Sequence, residues 1–309
     1  MITPMPLPTY VLVTPARNEA EFIWLTLKSV VAQTVPPLKW VIVSDGSTDG
    51  TDEIVKQYAL QYSWIELVRM SERRERDFAG KVHAFNAGYA ALAGLRYEAI
   101  GSLDADVSFD PGYFSFLMGK LAADPALGVV VTPFKEISQD SYDYRFVGIE
   151  HVSGACQVFR LDCFKAIGGY IPVKGGSIDH IAVITARMKG WKTRTFTDKV
   201  CFHHRQVGTA QRGLLRARFK YGVKDHDIGN HPLWEFFRIF YQMTRRPVVL
   251  GGGALAMVYL WALLHGNEKP VSAELVAFHR REQMLRLKKL LSGTRDSAAP
   301  ALQQPTERA

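Results

Sequence analysis

The chain has 309 residues, of which 47% are hydrophobic, and this composition excludes a disordered body and is sufficient for a sizeable core. The net charge of +8 would suit nucleic acid, but the first 230 residues contain no recognition motif and no basic helix with interleaved aromatics, so no nucleic-acid partner is expected. Three cysteines without a CxxC pair exclude a disulfide framework and a zinc site, and no secretory signal begins the chain, so we expect a cytosolic location.

The first hundred residues alternate between apolar runs and helical patterns. The runs are nearly continuous and rich in β-branched residues, which is typical of parallel strands buried on both faces. Such alternation predicts an α/β fold with a doubly wound, Rossmann-like, mostly parallel central sheet flanked by helices. The expected strands are 10–13, 40–43, 64–69 and 97–103, and the expected helices are 19–33, 49–62 (entered through N-cap residue types at 47–49) and 81–94.

The second half of the chain is less regular. It predicts a turn at Gly168-Gly169 and a helix at 179–189, with strands at 129–132, 157–160 and 193–202. From Pro232 the composition becomes aromatic and basic, and the segment 231–291 is expected to be helical. The tail at 292–309 is rich in Ala, Pro, Gln and Thr and is expected to be disordered.

Two carboxylates, Asp104 and Asp106, directly follow the fourth predicted strand. Alternate residues leaving a strand point the same way, so both side chains can aim at one point beyond the carboxyl end of the sheet, where ligands bind in open α/β folds. Hard oxygen ligands suit Mg²⁺ or Mn²⁺ and leave coordination positions for substrate phosphates. An isolated Asp-x-Asp is more often a solvated strand end than a metal site.

A set of motifs extends this pattern, and together they resemble the family 2 glycosyltransferases over roughly residues 9–215. The resemblance implies a GT-A fold, a nucleotide-diphosphate sugar donor such as a UDP or GDP sugar, a divalent metal and inversion at the anomeric carbon. We therefore expect a catalytic domain at 1–230, in which residues 9–110 bind the nucleotide sugar and residues 111–230 form the acceptor and catalytic half. The motifs are Thr14–Glu19, Val43–Asp49, Gly80–Gly88, Leu103–Asp106, Gly154–Arg160, Gly168–Tyr170, Asp179 and His203–Arg205.

On the donor side, Glu19 and Asp45 follow the first two predicted strands, so their carboxylates can accept hydrogen bonds from a base or a ribose hydroxyl. Helix capping is the alternative for Glu19, and closure of its own Asp-Gly turn is the alternative for Asp45. Lys81 could offset phosphate charge or be a solvated lysine. The residues that the resemblance places at the nucleotide sugar are Pro15, Arg17, Glu19, Asp45, Lys81, Asp104, Ala105 and Arg205.

The resemblance also implies metal and catalytic roles. Asp106 would contact the metal directly, with Asp104 reaching ribose or metal through water. Of His203 and His204, one would add a metal ligand or phosphate contact, since strand neighbours point to opposite faces. Arg205 would contact the diphosphate or form a surface salt bridge.

Asp179 matches the family's general base, which takes the proton of the acceptor hydroxyl. The family usually has Glu-Asp at that point, whereas this chain has Ile178-Asp179, and this departure affects the expected acceptor contacts more than catalysis. An N-cap role for Asp179 is the alternative. The processive-synthase signature Gln-x-x-Arg-Trp is absent, since Val-Gly-Thr follows Gln206 and Arg-Gly-Leu follows Gln211.

We therefore expect transfer of one sugar to a lipid-linked or polysaccharide acceptor in glycan or cell-envelope polysaccharide synthesis. A sugar nucleotidyltransferase is one alternative, although the acidic, glycine-free turn after the first strand argues against it. A catalytically silent scaffold of a polysaccharide assembly complex is the other, and the intact carboxylates argue against that.

The C-terminal region predicts contact with an anionic membrane surface. Leu233, Phe236, Phe237, Phe240, Tyr241 and Thr244 form an aromatic stripe with a basic rim, and 247–264 carries no charge. Residues 231–291 hold nine Lys or Arg against four Glu, a local balance of +5.

A single span would carry the basic tail across the bilayer against the positive-inside tendency, and glycines at 251–253 weaken the first third of the run as a helix. We therefore favour peripheral or re-entrant association at the cytoplasmic side of the cell membrane over a single-pass span. A wholly buried core helix is the alternative.

Overall fold

The computed structural model describes residues 6–72, 78–136, 148–205, 223–243, 250–265 and 269–292. The strands are Tyr10–Ala16 (β1), Lys39–Asp45 (β2), Ile65–Met70 (β3), Ala99–Leu103 (β4), Val107–Ser108 (β5), Leu127–Val131 (β6), Phe134–Glu136 (β7), Cys156–Arg160 (β8), Lys192–Thr195 (β9) and Cys201–His203 (β10). The helices are Ile23–Val31 (α1), Thr51–Gln61 (α2), Phe78–Ala90 (α3), Tyr113–Ala123 (α4), Leu161–Ile167 (α5), Ile178–Met188 (α6), Pro232–Met243 (α7), Leu250–His265 (α8) and Ala273–Leu291 (α9).

The central sheet is mostly parallel, which confirms the predicted α/β class. Its seven strands run in the order β3-β2-β1-β4-β8-β6-β9, and β8 is antiparallel to both of its neighbours. A smaller sheet has the order β5-β10-β7. The chain moves from β1 outward to β2 and β3 and then returns to place β4 on the other side of β1, so the strand order reverses between β1 and β4.

The core fills both faces of this sheet. Residues 11–13 of β1 and 41–43 of β2 are completely buried, as expected of parallel strands covered by helices. Helix α3 packs closely on these strands through Gly88, where an added Cβ would lie 2.6 Å from Val13 Cγ1 and 2.9 Å from Val43 Cγ2. This contact fixes α3, which carries Lys81, against the strands that lead to the site.

Three predicted elements need correction, and the first is the strand expected at 193–202. It is two strands in different sheets, because 196–200 turns at Thr197 and Asp198 between β9 and β10. Aspartate favours turns over strand interiors, so a single run through it was wrong. The break is what sends β10 toward the carboxyl end of β4.

The other corrections concern helix starts. The helix predicted from residue 19 begins at Ile23, since residues 20–22 form a turn, and the backbone amides of Glu19 and Ala20 donate to the side chains of Thr51 and Asp49. The expected N-cap of α2 at 47–49 is also displaced by one residue to Gly50, although Asp49 Oδ1 still accepts a hydrogen bond from the Thr51 amide at 3.1 Å.

The C-terminal region is helical, as predicted, and it packs on the α/β domain through α9. Arg187 of α6 makes a bidentate ion pair with Glu282 of α9 at 2.7 and 2.9 Å. The glycines at 251–253, which were expected to weaken the start of this run as a helix, lie within α8. Among the residues described, none of the helices combines the length and apolarity needed to cross a bilayer. The predicted disorder of the tail falls beyond residue 292, outside the described ranges.

Candidate functional site

The candidate site lies at the carboxyl ends of β1, β2 and β4, where the strand order reverses. Arg17 and Glu19 follow β1, Asp45 ends β2, and Asp104 and Asp106 follow β4. Strand β10 supplies the remaining side, because it pairs with β5 and the His204 amide donates to the Asp106 carbonyl at 2.9 Å. Three distant parts of the chain therefore meet at one edge of the sheet.

Asp104, Asp106 and His203 form a compact group whose candidate ligand atoms all lie within 4.8 Å of one another. His203 Nε2 lies 3.5 Å from Asp106 Oδ1. The other ring nitrogen, Nδ1, contacts the Arg205 carbonyl, which can only accept, so Nδ1 donates there, and in the neutral ring Nε2 would be the nitrogen whose lone pair faces the carboxylates. This is the tautomer of a metal-binding histidine held by a second hydrogen bond.

His204 points elsewhere, as expected for the neighbour of His203 at the end of a strand. Its Nε2 lies 2.8 Å from Ser108 Oγ, and its ring stacks on Phe22 with centroids 6.4 Å apart. The structure therefore groups His203, and not His204, with the two aspartates. The sequence left this choice open because it did not show which face of β10 turns toward β4.

The electrostatics of the group favour a bound cation. Burial, reinforced by the charge of Asp104, raises the pKa of Asp106, although His203 and Arg205 act in the opposite direction. A divalent ion would remove this repulsion, and two carboxylates plus one imidazole form a donor set that accepts Mn²⁺ or Mg²⁺. The residues present therefore fit a metal site with room left for other oxygen ligands.

Arg205 connects the donor-side residues to this group. Its guanidinium pairs with Glu19, and its Nε lies 3.5 Å from Asp106 Oδ2. Arg205 Nε is buried and lacks a hydrogen-bond partner within the described part of the chain. The Arg205 guanidinium lies over the Phe22 ring, with Cζ 5.6 Å from the ring centroid. The arginine is thus held as a cation beside the carboxylates, and a buried donor there suits an anionic ligand.

Lys81 lies between the acidic group and Asp179. Its Nζ donates to Asp104 Oδ1 at 2.5 Å. Burial would lower the pKa of Lys81, but the charge and hydrogen bond of Asp104, with the charges of Asp179 and Asp106, outweigh it and raise the pKa. One ammonium group therefore faces three carboxylates at the site.

Asp179 stands in the first turn of α6 beside a pocket. The Asp104 amide donates to the Ala155 carbonyl at 2.9 Å, and the adjacent Gly154 touches Asp179. A Cβ on Gly154 would lie 2.6 Å from Asp179 Oδ2, so only glycine leaves that carboxylate its position. Gly154 and Asp179 both line this pocket. Its full lining is Lys81, Val82, Phe85, Ser102, Gly154, Gln157, Tyr170, Ile178 and Asp179.

Asp45 and Arg17 lie at the far end of the site from Asp179. Arg17 Nη1 is 3.6 Å from Asp45 Oδ2, and Asp45 is buried. Pro15 is half-buried in β1, and Ala105 is buried between the two aspartates. All of the candidate residues named from the sequence are thus described, and their roles toward a nucleotide remain predictions. Gln206 and Gln211 lie outside the described residues.

Sequence reasoning missed the polar floor of the pocket. Gln157 of β8 donates to the Val152 carbonyl at 3.2 Å and accepts from the Tyr170 hydroxyl at 2.8 Å. Both residues are buried, and Gly154, Gln157 and Tyr170 belong to the motifs that carried the family resemblance. A glutamine inside an otherwise apolar strand was the available signal, because such a side chain needs partners when buried.

Comparison with known protein families matches residues 11–168, about half of the chain, to the family described as glycosyl transferase family 2. A poly-beta-1,6-N-acetyl-D-glucosamine synthase from Staphylococcus epidermidis is 30% identical over 241 residues, which cover 70% of this chain and 54% of that protein. A probable glycosyltransferase from Bacillus subtilis is 31% identical over 149 residues, which cover 47% of this chain and 34% of that protein. The chain thus spans about a third to a half of these relatives.

Solved structures show the same fold. A mannosyltransferase from Pyrobaculum calidifontis, in complex with GDP-Man and Mn²⁺, matches with a TM-score of 0.59 at 20% identity, covering 94% of this chain and 89% of that one. TarS residues 1–349 from S. aureus, in complex with UDP-GlcNAc, match with a TM-score of 0.54 at 12% identity, covering 92% and 83%. At these identities the likeness concerns the fold, which is the GT-A arrangement of a mostly parallel sheet flanked by helices.

Proposed function

The chain belongs to glycosyl transferase family 2 and is a glycosyltransferase, and from this premise we propose that it transfers one sugar from a UDP or GDP sugar to a hydroxyl of a lipid-linked or polysaccharide acceptor. The reaction inverts the anomeric carbon and depends on Mn²⁺ or Mg²⁺. It serves glycan or cell-envelope polysaccharide synthesis. The observation that carries the proposal is the group Asp104, Asp106 and His203, which faces Asp179 across Lys81.

Nucleotide-sugar binding is supported by the arrangement of charges. Asp45 and Glu19 can accept hydrogen bonds from base or ribose, while Lys81 and Arg205 lie where a diphosphate would need cations. Asp106, Asp104 and His203 would hold the metal, which when bound neutralises charge on the leaving diphosphate. Similar folds that contain GDP-Man with Mn²⁺, or UDP-GlcNAc, are consistent with either nucleotide.

Asp179 is the proposed general base. As the acceptor oxygen bonds to the anomeric carbon, its O–H proton moves to an Asp179 carboxylate oxygen, and the bond between the anomeric carbon and the phosphate oxygen breaks. The electron pair of that bond leaves with the nucleoside diphosphate, where Lys81 and Arg205 offset its charge. A direct displacement of this kind inverts the anomeric configuration.

The acceptor assignment draws on relatives. Poly-beta-1,6-N-acetyl-D-glucosamine synthases are among the proteins that the chain resembles, so a growing glycan is a suitable acceptor class. The family assignment favours sugar transfer over nucleotidyl transfer, the alternative considered from the sequence.

Calorimetry tests the metal and nucleotide assignment. UDP and GDP are titrated into the full chain with and without Mn²⁺, and into Asp106→Asn and a matched control, Asp162→Asn, which alters an exposed carboxylate on α5. We expect Mn²⁺ to strengthen binding of one nucleotide by at least about tenfold, and Asp106→Asn alone to abolish that gain because one ligand charge is lost. Equal Mn²⁺ dependence in all three proteins would remove Asp106 from the metal site.

A further inference from the structure

Helices α7 and α8 expose large apolar side chains at regular helical spacing. On α7 they fall at i, i+3 and i+7, and on α8 at i, i+3, i+4 and i+7, with exposed fractions from 51% to 80%. One stripe on each helix therefore faces away from the core. We call these residues the α7–α8 face: Leu233, Phe236, Phe240, Met257, Leu260, Trp261 and Leu264.

The two helices run antiparallel. Near the start of α8, Gly252 lies against the end of α7, where an added Cβ would be 2.6 Å from the Ile239 carbonyl and 2.4 Å from Met243 Cγ. Farther along α8, the Tyr259 hydroxyl donates to the Asn230 carbonyl at 3.3 Å, just before α7 begins. Helix α8 therefore returns along α7 with their backbones in close contact.

The two stripes lie on the same side of this pair. At 100° per residue, the exposed stripe of α7 is next to its contact with α8, and buried Trp234 and Glu235 lie on the opposite side. In α8, Gly252 and buried Tyr259 lie on the side that meets α7, and the exposed stripe lies about 130° around the helix from Gly252, displaced in the same rotational sense as the stripe of α7. Because the helices are antiparallel, both stripes face outward together.

The joined surface is larger than an ordinary apolar patch. Taking about 200 Å² for each large side chain when fully exposed, it presents roughly 900 Å², against a few hundred Å² for the largest patch of a typical soluble monomer. Such a surface on one side of a helix pair is typical of elements that lie in a membrane interface.

We propose that the α7–α8 face inserts into the interfacial layer of an anionic lipid bilayer. Helix α8 contains no Asp, Glu, Lys or Arg, while the segment 231–291 around the face has a local charge of +5. Its exposed cations include Arg281, Lys288 and Lys289 of α9. Apolar insertion and attraction to anionic headgroups therefore act together. The proposal does not depend on the identity of the sugar donor.

The rigid attachment of α9 gives this docking a consequence for the enzyme. The Arg187–Glu282 ion pair joins α9 to α6, the helix whose first turn holds Asp179, and Arg280 Nε donates to the Gly229 carbonyl just before α7. Docking would thus hold the proposed base at a fixed position relative to the lipid surface, as a lipid-linked acceptor requires.

Cosedimentation with vesicles tests the proposal on the full chain. Phe236→Ser/Leu260→Ser removes one aromatic and one leucine from the face, and Trp24→Ser/Leu60→Ser removes one of each from exposed positions elsewhere. With vesicles of phosphatidylglycerol and phosphatidylcholine, we expect partitioning of the first variant to fall at least about tenfold, and that of the control to stay within about twofold. Pure phosphatidylcholine vesicles should bind the unaltered chain more weakly.

Three results would overturn the proposal. The unaltered chain could remain in the supernatant with anionic vesicles, or both double variants could pellet equally. Light scattering could instead show a dimer that only Phe236→Ser/Leu260→Ser dissociates, which would assign the face to a second copy of the chain. Equal thermal unfolding of the two variants, measured alongside, excludes misfolding as the cause of lost binding.

Discussion

Acid should destabilise this protein through a histidine at the junction of the α/β domain and the C-terminal helices. The rings of His151, His180 and His279 stack edge to face, with centroids 5.3 and 5.6 Å apart. His279 of α9 is 5% exposed; its Nε2 lies 3.0 Å from Asn230 Oδ1, and its Nδ1 has no hydrogen-bond partner within the described ranges. The ring is therefore packed in its neutral form.

Burial lowers the pKa of His279 to about 3, with help from the positive charges of Arg187, Arg286, Arg238 and Arg280. In the unfolded chain the same histidine titrates near 6.5. Between these values the unfolded state binds a proton that the folded state does not, so stability is fully present above pH 6.5 and falls as the pH drops. Between the two pKa values the free energy of unfolding falls by about 1.4 kcal/mol for each pH unit of acidification. Over the whole interval the loss is on the order of 5 kcal/mol.

Urea unfolding at pH 7.5, 6.5 and 5.5 measures this effect. His279→Gln cannot titrate but keeps an N–H for Asn230, and His83→Gln alters an exposed histidine on α3 as the matched control. From pH 7.5 to 5.5, we expect the unaltered chain and the control to lose about 1.4 kcal/mol more stability than His279→Gln. Parallel profiles for all three proteins would refute the claim that His279 is held neutral.

Three further substitutions test the site and its supports. Asp179→Asn should lower turnover by roughly 10²–10⁴ and leave nucleotide binding within a few fold, as steady-state kinetics with calorimetry would show. Gly154→Ala should also lower turnover more than binding, because its Cβ would lie 2.6 Å from Asp179 Oδ2. Gly88→Ala should destabilise the fold by about 1–3 kcal/mol in urea, since the methyl overlaps Val13 and Val43.

Gly253→Ala serves as the control for Gly88→Ala. Both glycines are helical, but a Cβ at 253 meets nothing within 4 Å, so this change should be neutral or stabilise by up to about 1 kcal/mol. Equal effects of the two substitutions would mean that α3 can move away from the sheet. Turnover of Asp179→Asn within tenfold of the unaltered chain would place the general base elsewhere.

The sequence predicted the parallel half of the fold well because its signals there are local. Strands β1 and β2 are uninterrupted apolar runs, and the carboxylates that follow them can only lie at the carboxyl end of the sheet. The same reasoning placed Asp104 and Asp106 together after β4. The motifs between residues 9 and 215 then indicated the class of enzyme through their resemblance to one family.

Tertiary contacts determined what the sequence could not show. Whether His203 or His204 turns toward Asp106 depends on the pairing of β10 with β5, which lies far away in the chain. The turn that precedes α1 is held by Thr51 and Asp49, whose side chains accept hydrogen bonds from the amides of Glu19 and Ala20 and come from a later part of the chain. The glycines of α8 are helical because Gly252 packs on α7, a stabilisation that helix propensity does not include.

The most direct test of the central claim follows the sugar itself. The full chain is incubated with UDP and GDP sugars, Mn²⁺ and a lipid and polysaccharide extract, and products are analysed by mass spectrometry and by NMR of the anomeric proton. We predict that one donor is consumed, that the acceptor gains a single sugar of inverted configuration, and that Asp179→Asn forms almost none. A product carrying nucleotide, a retained configuration, or consumption no greater than with Asp179→Asn would contradict the proposed reaction.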